Sequence, residues 1–312
     1  MIPFRPLSLG ELFDGTFAAI RSNPKVMFTI SMGFMAIVGV IGGIIAAMTP
    51  QETVGGAITS DGYDVVFETI DVPSTFGFTG LHGILGLITA GVSLVVTGML
   101  VLSVTNAVVG ANLDLAATWA ETKPRFWRLI GTALLVWLIL MGLSFLALVL
   151  PLMLTGLFAS GFSASRAVLG PLLLVPIGLA IVAWMSVRLY FATMVTVVEG
   201  VSPTQAISRS WALSQGAFWR ILGRLILVGL IVSIVVGLVS GGLSALIMLG
   251  DNVWPWGLTA FLLALVSSLA NGLAMPFSAA YGSLMYVDER IRKENLAPEL
   301  ARALAQNRAR GI

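Results

Sequence analysis

The sequence has no cysteine and one histidine among its 312 residues, and only 10% of the residues are charged. The absence of cysteine excludes disulfide scaffolds, thiol nucleophiles and zinc ribbons. One imidazole, that of His82, is too few for a histidine-cluster metal site. Because ordinary globular domains carry about 25% charged residues, a soluble domain is excluded as well. We therefore expect neither a metal nor another cofactor.

Hydrophobic residues make up 57% of the chain and are grouped in long stretches. A bilayer core of about 30 Å requires roughly 20 apolar residues per spanning helix. Six stretches meet that length: 25–48, 82–109, 129–152, 171–198, 221–248 and 257–287. The fourth is the least regular, since it contains Pro171, Pro176 and Arg188. The sequence thus predicts an all-α, polytopic membrane helix bundle with six transmembrane helices.

Lysine and arginine are distributed unevenly among the connecting segments. With six spans both termini share one side, and that side holds 15 of the 17 basic residues; the exceptions are Arg166 and Arg188. The loop at 49–80, on the opposite side, has five acidic residues and no basic one. Since basic loops stay in the cytosol, this distribution predicts cytosolic N- and C-termini and an acidic extracytoplasmic loop. The net charge of +2 is too small to favour nucleic acid as a partner.

The chain contains an internal repeat. Residues 118–131 read TWAETKPRFWRLIG and residues 210–223 read SWALSQGAFWRILG, with six identities in fourteen positions. A weaker third copy, LSLGELFDGTFAA at 7–19, aligns with 201–213. Self-similarity of this kind indicates a structural unit that recurs along the fold. We predict one integral membrane domain of three units, each a short interfacial helix and two spans, followed by a charged cytosolic tail; the units are at about 6–100, 102–200 and 201–288, and the tail at 288–312.

The short helix of each unit is expected to lie at the membrane surface. Ser8 with Glu11, and Ser202 with Gln205, have the S-x-x-E/Q spacing of a capping box. Apolar residues then recur every three or four positions after Ser8, which predicts one apolar face. That face comprises Leu9, Leu12, Phe13, Phe17 and Ile20. The residues expected to anchor the short helices at the interface are Phe17, Trp119, Trp127, Arg128, Trp211, Trp219 and Arg220.

Three segments resemble a known family. Residues 187–223 read VRLYFATMVTVVEGVSPTQAISRSWALSQGAFWRILG, which is similar to the membrane-domain family of glycerophosphoryl diester phosphodiesterase. Residues 5–30 and 284–303 resemble the ends of members from high-GC Gram-positive bacteria. The resemblance implies a six-helix protein of the bacterial plasma membrane. It does not imply phosphodiesterase activity, because the catalytic barrel of that enzyme is a separate domain of about 200 residues or more, and the longest soluble stretch here is 49–80.

Arg188 is the charged residue that stands out inside a predicted span. If that span leaves the membrane near Glu199, eleven residues at about 1.5 Å each place Arg188 roughly 16 Å deep. An arginine at that depth costs on the order of 3 kcal/mol unless it has a partner. No Asp or Glu lies inside the six stretches. The possible partners are therefore Asn106, Asn271, Thr193, backbone carbonyls freed near the prolines, or a lipid phosphate. The alternative is a structural role, in which Arg188 snorkels to the headgroups or fixes a helix.

Small residues recur every four positions on the fifth span, at Gly229, Ser233, Gly237 and Gly241. Such a stripe lets another helix approach closely, either within the chain or from a partner. Asn106 and Asn271 have the same two interpretations, as helix-bridging amides or as part of a ligand site. Neither pattern identifies a catalytic residue.

Two functions remain open at this point. The first is a non-catalytic scaffold or accessory subunit of a membrane complex, in contact with lipids and with a protein bound through the interfacial helices or the cytosolic tail. The second is a permease or lipid-handling protein that binds an anionic lipid or substrate near Arg188. An enzyme is not expected, because no nucleophile and base are paired in the sequence. The substrate, the partners and the oligomeric state are not determined by these patterns.

Overall fold

The computed structural model describes residues 7–48, 93, 96–106, 115–158, 164–250 and 253–294. The acidic loop at 49–80, His82 and the tail beyond Glu294 lie outside the described residues. Within these ranges the chain forms ten α-helices and a short 3-10 turn at Lys123–Arg125. The helices are α1 (Leu9–Ser22), α2 (Pro24–Met48), α3 (Val96–Asn106), α4 (Leu115–Thr122), α5 (Phe126–Phe158), α6 (Ala164–Leu189), α7 (Ala192–Glu199), α8 (Pro203–Ser214), α9 (Phe218–Met248) and α10 (Trp256–Glu294).

Five segments of the described chain are long and apolar enough to cross a membrane. They coincide with five of the six predicted stretches: α2, α5, α6 together with α7, α9, and α10. The sixth stretch, 82–109, is described only in part and contains α3. The all-helical membrane architecture is thus confirmed, whereas the count of six spans stays a prediction. The pattern of a short helix before a long one recurs at α1/α2, α4/α5 and α8/α9.

One compact unit consists of α2 with residues 229–248 of α9 and 256–278 of α10. In this unit α2 packs closely against α10. A Cβ atom on Gly39 would lie 2.9 Å from the Cβ of Ser268, and one on Gly43 would lie 2.6 Å from the ring of Phe261. Only glycine permits this separation, which is how helices pack tightly when lipid surrounds them.

The predicted small-residue stripe on α9 has no such role among the described residues. All four of its residues are exposed, and no described atom lies within 4 Å of a Cβ built on Gly229, Gly237 or Gly241. Ser233 donates only to the carbonyl of Leu230 in its own helix, at 3.0 Å. A contact of this stripe with a partner stays a prediction, whereas α2 has close glycine contacts within the described chain.

The other compact unit contains α1, α4 to α8, the start of α9 and the end of α10. In it α5 packs along α6, with Ala147 directly against Gly178. Helices α7 and α8 both pack on α5. A hydrogen bond of 2.8 Å between the hydroxyls of Thr132 and Thr196, which are fully buried, fixes α5 to α7.

Both predicted capping boxes are present. The backbone N–H of Ser8 donates to Glu11 at 2.8 Å, and that of Ser202 donates to Gln205 at 3.3 Å, with Pro203 as the first helical residue. These contacts satisfy amides that would otherwise have no partner at the start of α1 and α8.

Helix α1 buries a face made mostly of small residues against the rest of the protein. The residues it buries are Leu12, Gly15, Thr16 and Ala19, whereas Leu9 and Phe17 are about half exposed. Small residues let α1 pack closely against its neighbours. The face with Gly15, Thr16 and Ala19 is therefore buried, and part of the apolar face stays exposed. That the exposed apolar residues lie in the membrane interface stays a prediction.

The fourth predicted span is broken near its end. Helix α6 ends at Leu189, the chain turns at Tyr190 and Phe191, and α7 begins at Ala192. Helix α7 ends at Gly200, whose φ of 67° is in the left-handed region that glycine adopts at helix ends.

Candidate functional site

The first candidate site is a group of charged side chains where the end of α10 meets the start of α9. We call it the Asp288 cluster; it comprises Leu7, Arg220, Arg224, Asp288, Glu289 and Arg292. Asp288 is fully buried and accepts hydrogen bonds from Arg224 Nη1 at 2.7 Å and from Arg292 Nε at 2.9 Å. Glu289 is also fully buried, and Arg220 donates to it from Nε at 3.0 Å and from Nη2 at 2.7 Å. Such two-pronged pairing is the strongest that an arginine makes.

The Asp288 cluster also holds the residue that precedes α1. The backbone N–H of Leu7 donates to Asp288 at 2.7 Å. The carbonyl of Leu7 accepts from Arg224 at 3.3 Å and from Arg292 at 3.0 Å. Both backbone polar groups of Leu7 are thereby satisfied by side chains of α9 and α10, which fixes the entry to α1.

A second group, the Glu199 cluster, comprises Glu199, Arg209, Tyr286, Arg290 and Glu294. Glu199 accepts from the hydroxyl of Tyr286 at 2.7 Å and from Arg209 Nε at 3.1 Å. Arg209 Nη1 and Arg290 Nε lie 2.6 Å and 2.9 Å from the carboxylate of Glu294. The cluster thus joins the end of α7 to α8 and α10.

Arg209 bridges the Glu199 cluster. Partial burial by itself would lower the pKa of Arg209, but its hydrogen bond to Glu199 and the negative charges of Glu199 and Glu294 outweigh that effect and raise the pKa above the ordinary arginine value. Arg209 is therefore the cation in both ion pairs.

Arg188 lies in the last turn of α6, beside α8. Its guanidinium carbon is 5.3 Å from the ring centroid of Trp184 and 5.1 Å from that of Trp211. The two indole rings are 5.3 Å apart and nearly perpendicular, at 88°, so they form an aromatic corner around the charge. The hydroxyl of Ser210 donates to the Arg188 carbonyl at 2.7 Å, which fixes the end of α6 to α8.

Two nitrogens of Arg188, Nε and Nη1, are buried, and no described residue accepts a hydrogen bond from them. No described carboxylate forms an ion pair with this arginine either. The aromatic corner attracts the positive charge, but a ring face is a weak hydrogen-bond acceptor. The predicted depth of about 16 Å for Arg188 assumed an unbroken helix to Glu199. The turn after α6 removes the basis of that assumption.

The two asparagines considered as partners of Arg188 bond elsewhere. Asn106 donates to the carbonyl of Leu102 at 3.0 Å and to Glu121 at 3.3 Å. Asn271 donates to the carbonyl of Ser267, one turn back in α10, at 2.8 Å. Both amides are thus used within or near their own helices, and the structure does not bring them together with Arg188.

The predicted interfacial anchors fall into two groups. Those with their rings largely outside are Phe17, Trp119, Trp127 and Trp219. Trp127 and Trp219 are 78% and 79% exposed, and each stacks edge-on against the phenylalanine before it. The others have partners inside the protein: Trp211 stacks on Arg188, Arg220 binds Glu289, and Arg128 donates to the carbonyl of Gly200 at 2.6 Å.

Counting the charged residues in each connecting segment did not predict the carboxylates of the Asp288 cluster or of the Glu199 cluster. It recorded the arginines but not the carboxylates that bind them. The signal available was local: Asp288 and Glu289 directly follow the sixth apolar stretch, and Arg220 and Arg224 are four residues apart at the start of the fifth. Among the described residues there is no group of three His, Cys, Asp or Glu side chains that could hold a metal ion.

The charged clusters and Arg188 lie in the part of the chain that matches a known family. Residues 165–309 match the family described as the membrane domain of glycerophosphoryl diester phosphodiesterase. This stretch of the chain is thus similar to that membrane-domain family. Every side chain of the two clusters is inside the matched membrane domain, and only the backbone of Leu7 comes from outside it. No curated protein and no solved structure shows significant similarity to the chain. With its apolar helices, the chain is an integral membrane protein.

Proposed function

We propose that this integral membrane protein is a non-catalytic scaffold or accessory subunit of a bacterial plasma-membrane complex, with both termini in the cytosol. The proposal rests on how arginines bind the carboxylates of the two charged clusters. Asp288, Glu289, Glu199 and Glu294 are each bound by at least one arginine, and together they join α1, α7, α8, α9 and α10. Carboxylates held in this way stabilise an arrangement of helices and are poorly suited to proton transfer.

The exposed aromatic residues support a role in contact with other molecules. Phe126–Trp127 and Phe218–Trp219 occupy matching positions of the internal repeat. Their ring centroids are 5.4 Å and 5.1 Å apart, both in edge-on geometry. Two rigid aromatic pairs of the same shape, each beginning a long apolar helix, suit a surface that packs on lipid headgroups or on a neighbouring protein.

The test is quantitative co-purification of the full-length protein in mild detergent. The wild type is compared with a variant that carries Trp127→Ala and Trp219→Ala, and with an Arg21→Gln control on the exposed end of α1. A scaffold retains one or more proteins at a fixed ratio in the wild type and the control, and loses them in the double variant. Failure to find any protein at a fixed ratio in the wild type contradicts the proposal.

A permease or lipid-handling role is the second candidate. It is favoured by the two Arg188 N–H groups that have no acceptor among the described residues. In proteoliposomes, substrate flux that is lost in Arg188→Ala and kept in Arg21→Gln would favour this role over the scaffold. A glycerophosphodiester assay on purified protein tests the non-catalytic part of the proposal directly. We expect no hydrolysis above that of empty micelles, and turnover by the wild type would contradict it.

A further inference from the structure

We propose that Arg188 binds the phosphate of an anionic phospholipid headgroup. The first observation is the pair of guanidinium nitrogens, Nε and Nη1, for which the described chain offers no acceptor. Hydrogen bonds to a charged group are among the stronger ones in proteins, and leaving a buried donor unpaired is costly. Nε and Nη1 are themselves buried, whereas the residue as a whole is partly exposed, so an acceptor can approach the guanidinium beside these two nitrogens.

The surroundings of Arg188 select an anion. Lys293 is near enough for its charge to interact with those of Arg188 and Arg220. Lys293 donates to the backbone carbonyls of Ala212 and Gln215 at the end of α8, which are uncharged acceptors. The carboxylates that also act on Lys293 are Glu289 and Glu294, and both are bound by other arginines. Among the described residues, neither Arg188 nor Lys293 therefore has an ion pair of its own.

The surface next to Arg188 indicates that the anion belongs to a lipid. Ile177, Ile181 and Trp184 precede Arg188 at intervals of four, three and four residues, so all four side chains share one face of α6. The three apolar residues on this face are exposed. From Ile177 to Arg188 the helix rises about 16 Å, which is close to half of a hydrocarbon core of about 30 Å. An acyl chain of one leaflet can lie along this face while its phosphate contacts Arg188.

The aromatic corner gives the site its geometry. Trp184 and Trp211 meet at a right angle and restrict the guanidinium from two sides. A planar guanidinium has a donor geometry that matches two oxygens of a phosphate. This lipid site is independent of the scaffold proposal, because a bound lipid is compatible with a scaffold and with a permease.

The experiment measures lipid retained by the delipidated, full-length protein after reconstitution in nanodiscs of phosphatidylglycerol and phosphatidylcholine and re-extraction in mild detergent. We expect the wild type to retain phosphatidylglycerol at about one molecule per chain. Arg188→Gln should reduce this retention roughly tenfold or more, as expected for the loss of a charge-assisted hydrogen bond. Arg188→Lys should give an intermediate value, since it keeps the charge and loses the planar fork.

Arg21→Gln is the matched control, because it removes one positive charge from an exposed position on α1. Equal phosphatidylglycerol retention by the wild type and Arg188→Gln would overturn the proposal, as would equal loss in Arg21→Gln. A second measurement does not depend on the folding of a variant. Phosphatidylglycerol should raise the melting temperature of the delipidated wild type more than phosphatidylcholine does. If millimolar inorganic phosphate alone produces the same rise, the site takes a small free anion and the assignment to lipid is wrong.

Discussion

Replacing Asp288 by Asn tests whether the Asp288 cluster holds the fold together. The substitution keeps the shape of the side chain and an oxygen that can accept the Leu7 N–H, but it removes the charge. In the wild type, Arg224 is 6% exposed and lies 2.7 Å from the Asp288 carboxylate, its closest counter-charge. The substitution removes that charge. Removing one partner of a buried ion pair costs about 3–5 kcal/mol of stability. Arg224 would keep Glu289 at 3.8 Å and the Leu7 carbonyl at 3.3 Å, so we expect the lower end, about 3 kcal/mol.

The free energy of unfolding in mixed micelles, measured by titration with a denaturing detergent, checks this value. Asp14→Asn is the control, because Asp14 is an exposed acid on α1, and it should change stability by less than about 0.5 kcal/mol. A second Asp288→Asn variant that also carries Arg224→Met should recover much of the loss, since the uncompensated charge is then removed. The reasoning is refuted if Asp288→Asn unfolds within about 0.5 kcal/mol of the wild type.

Three further predictions concern other parts of the chain. Gly43→Ala should destabilise the protein by about 1–3 kcal/mol, because its Cβ would meet both the ring and the backbone oxygen of Phe261. Gly33→Ala on the same helix meets nothing described within 4 Å and should be neutral or stabilising. Equal effects of the two substitutions in unfolding titrations would argue against the contact. In variants that keep only Trp127 or only Trp219, fluorescence should be quenched more by lipids brominated near the headgroup than by lipids brominated near the acyl end, and the opposite order would contradict interfacial anchoring. Since the chain has no cysteine, an impermeant maleimide should label Asp64→Cys in intact cells and Asp14→Cys only after permeabilisation; labelling of Asp14→Cys in intact cells would reverse the proposed orientation.

The membrane helices could be predicted from the sequence because length and apolar content decide whether a segment crosses a bilayer. Both capping boxes could be predicted as well, since each depends on two residues three positions apart, such as Ser8 and Glu11. These are local properties, and a local pattern contains all the information that they require.

The charged clusters required contacts between residues far apart in the chain. Asp288 binds Arg224, 64 residues earlier, and Leu7, 281 residues earlier. Hydropathy and charge counts assign each of these residues to a side of the membrane but do not say which of them meet. The turn at Tyr190 and Phe191 contains neither glycine nor proline, so the sequence has no signal that predicts it. The distance of Arg188 from the end of its span could therefore not be predicted from residue spacing.

The binding of Leu7 by side chains of α9 and α10 has a consequence for how the protein is made. A ribosome completes α1 early, but the carboxylate that receives its entry residue is Asp288, near the end of α10. Until the last span has been synthesised, the backbone N–H and C=O of Leu7 therefore lack these side-chain partners, and water must solvate them. Insertion of the final helix is thus also the step that closes the fold at its beginning, and a nascent chain halted before Asp288 leaves the first helix without its attachment.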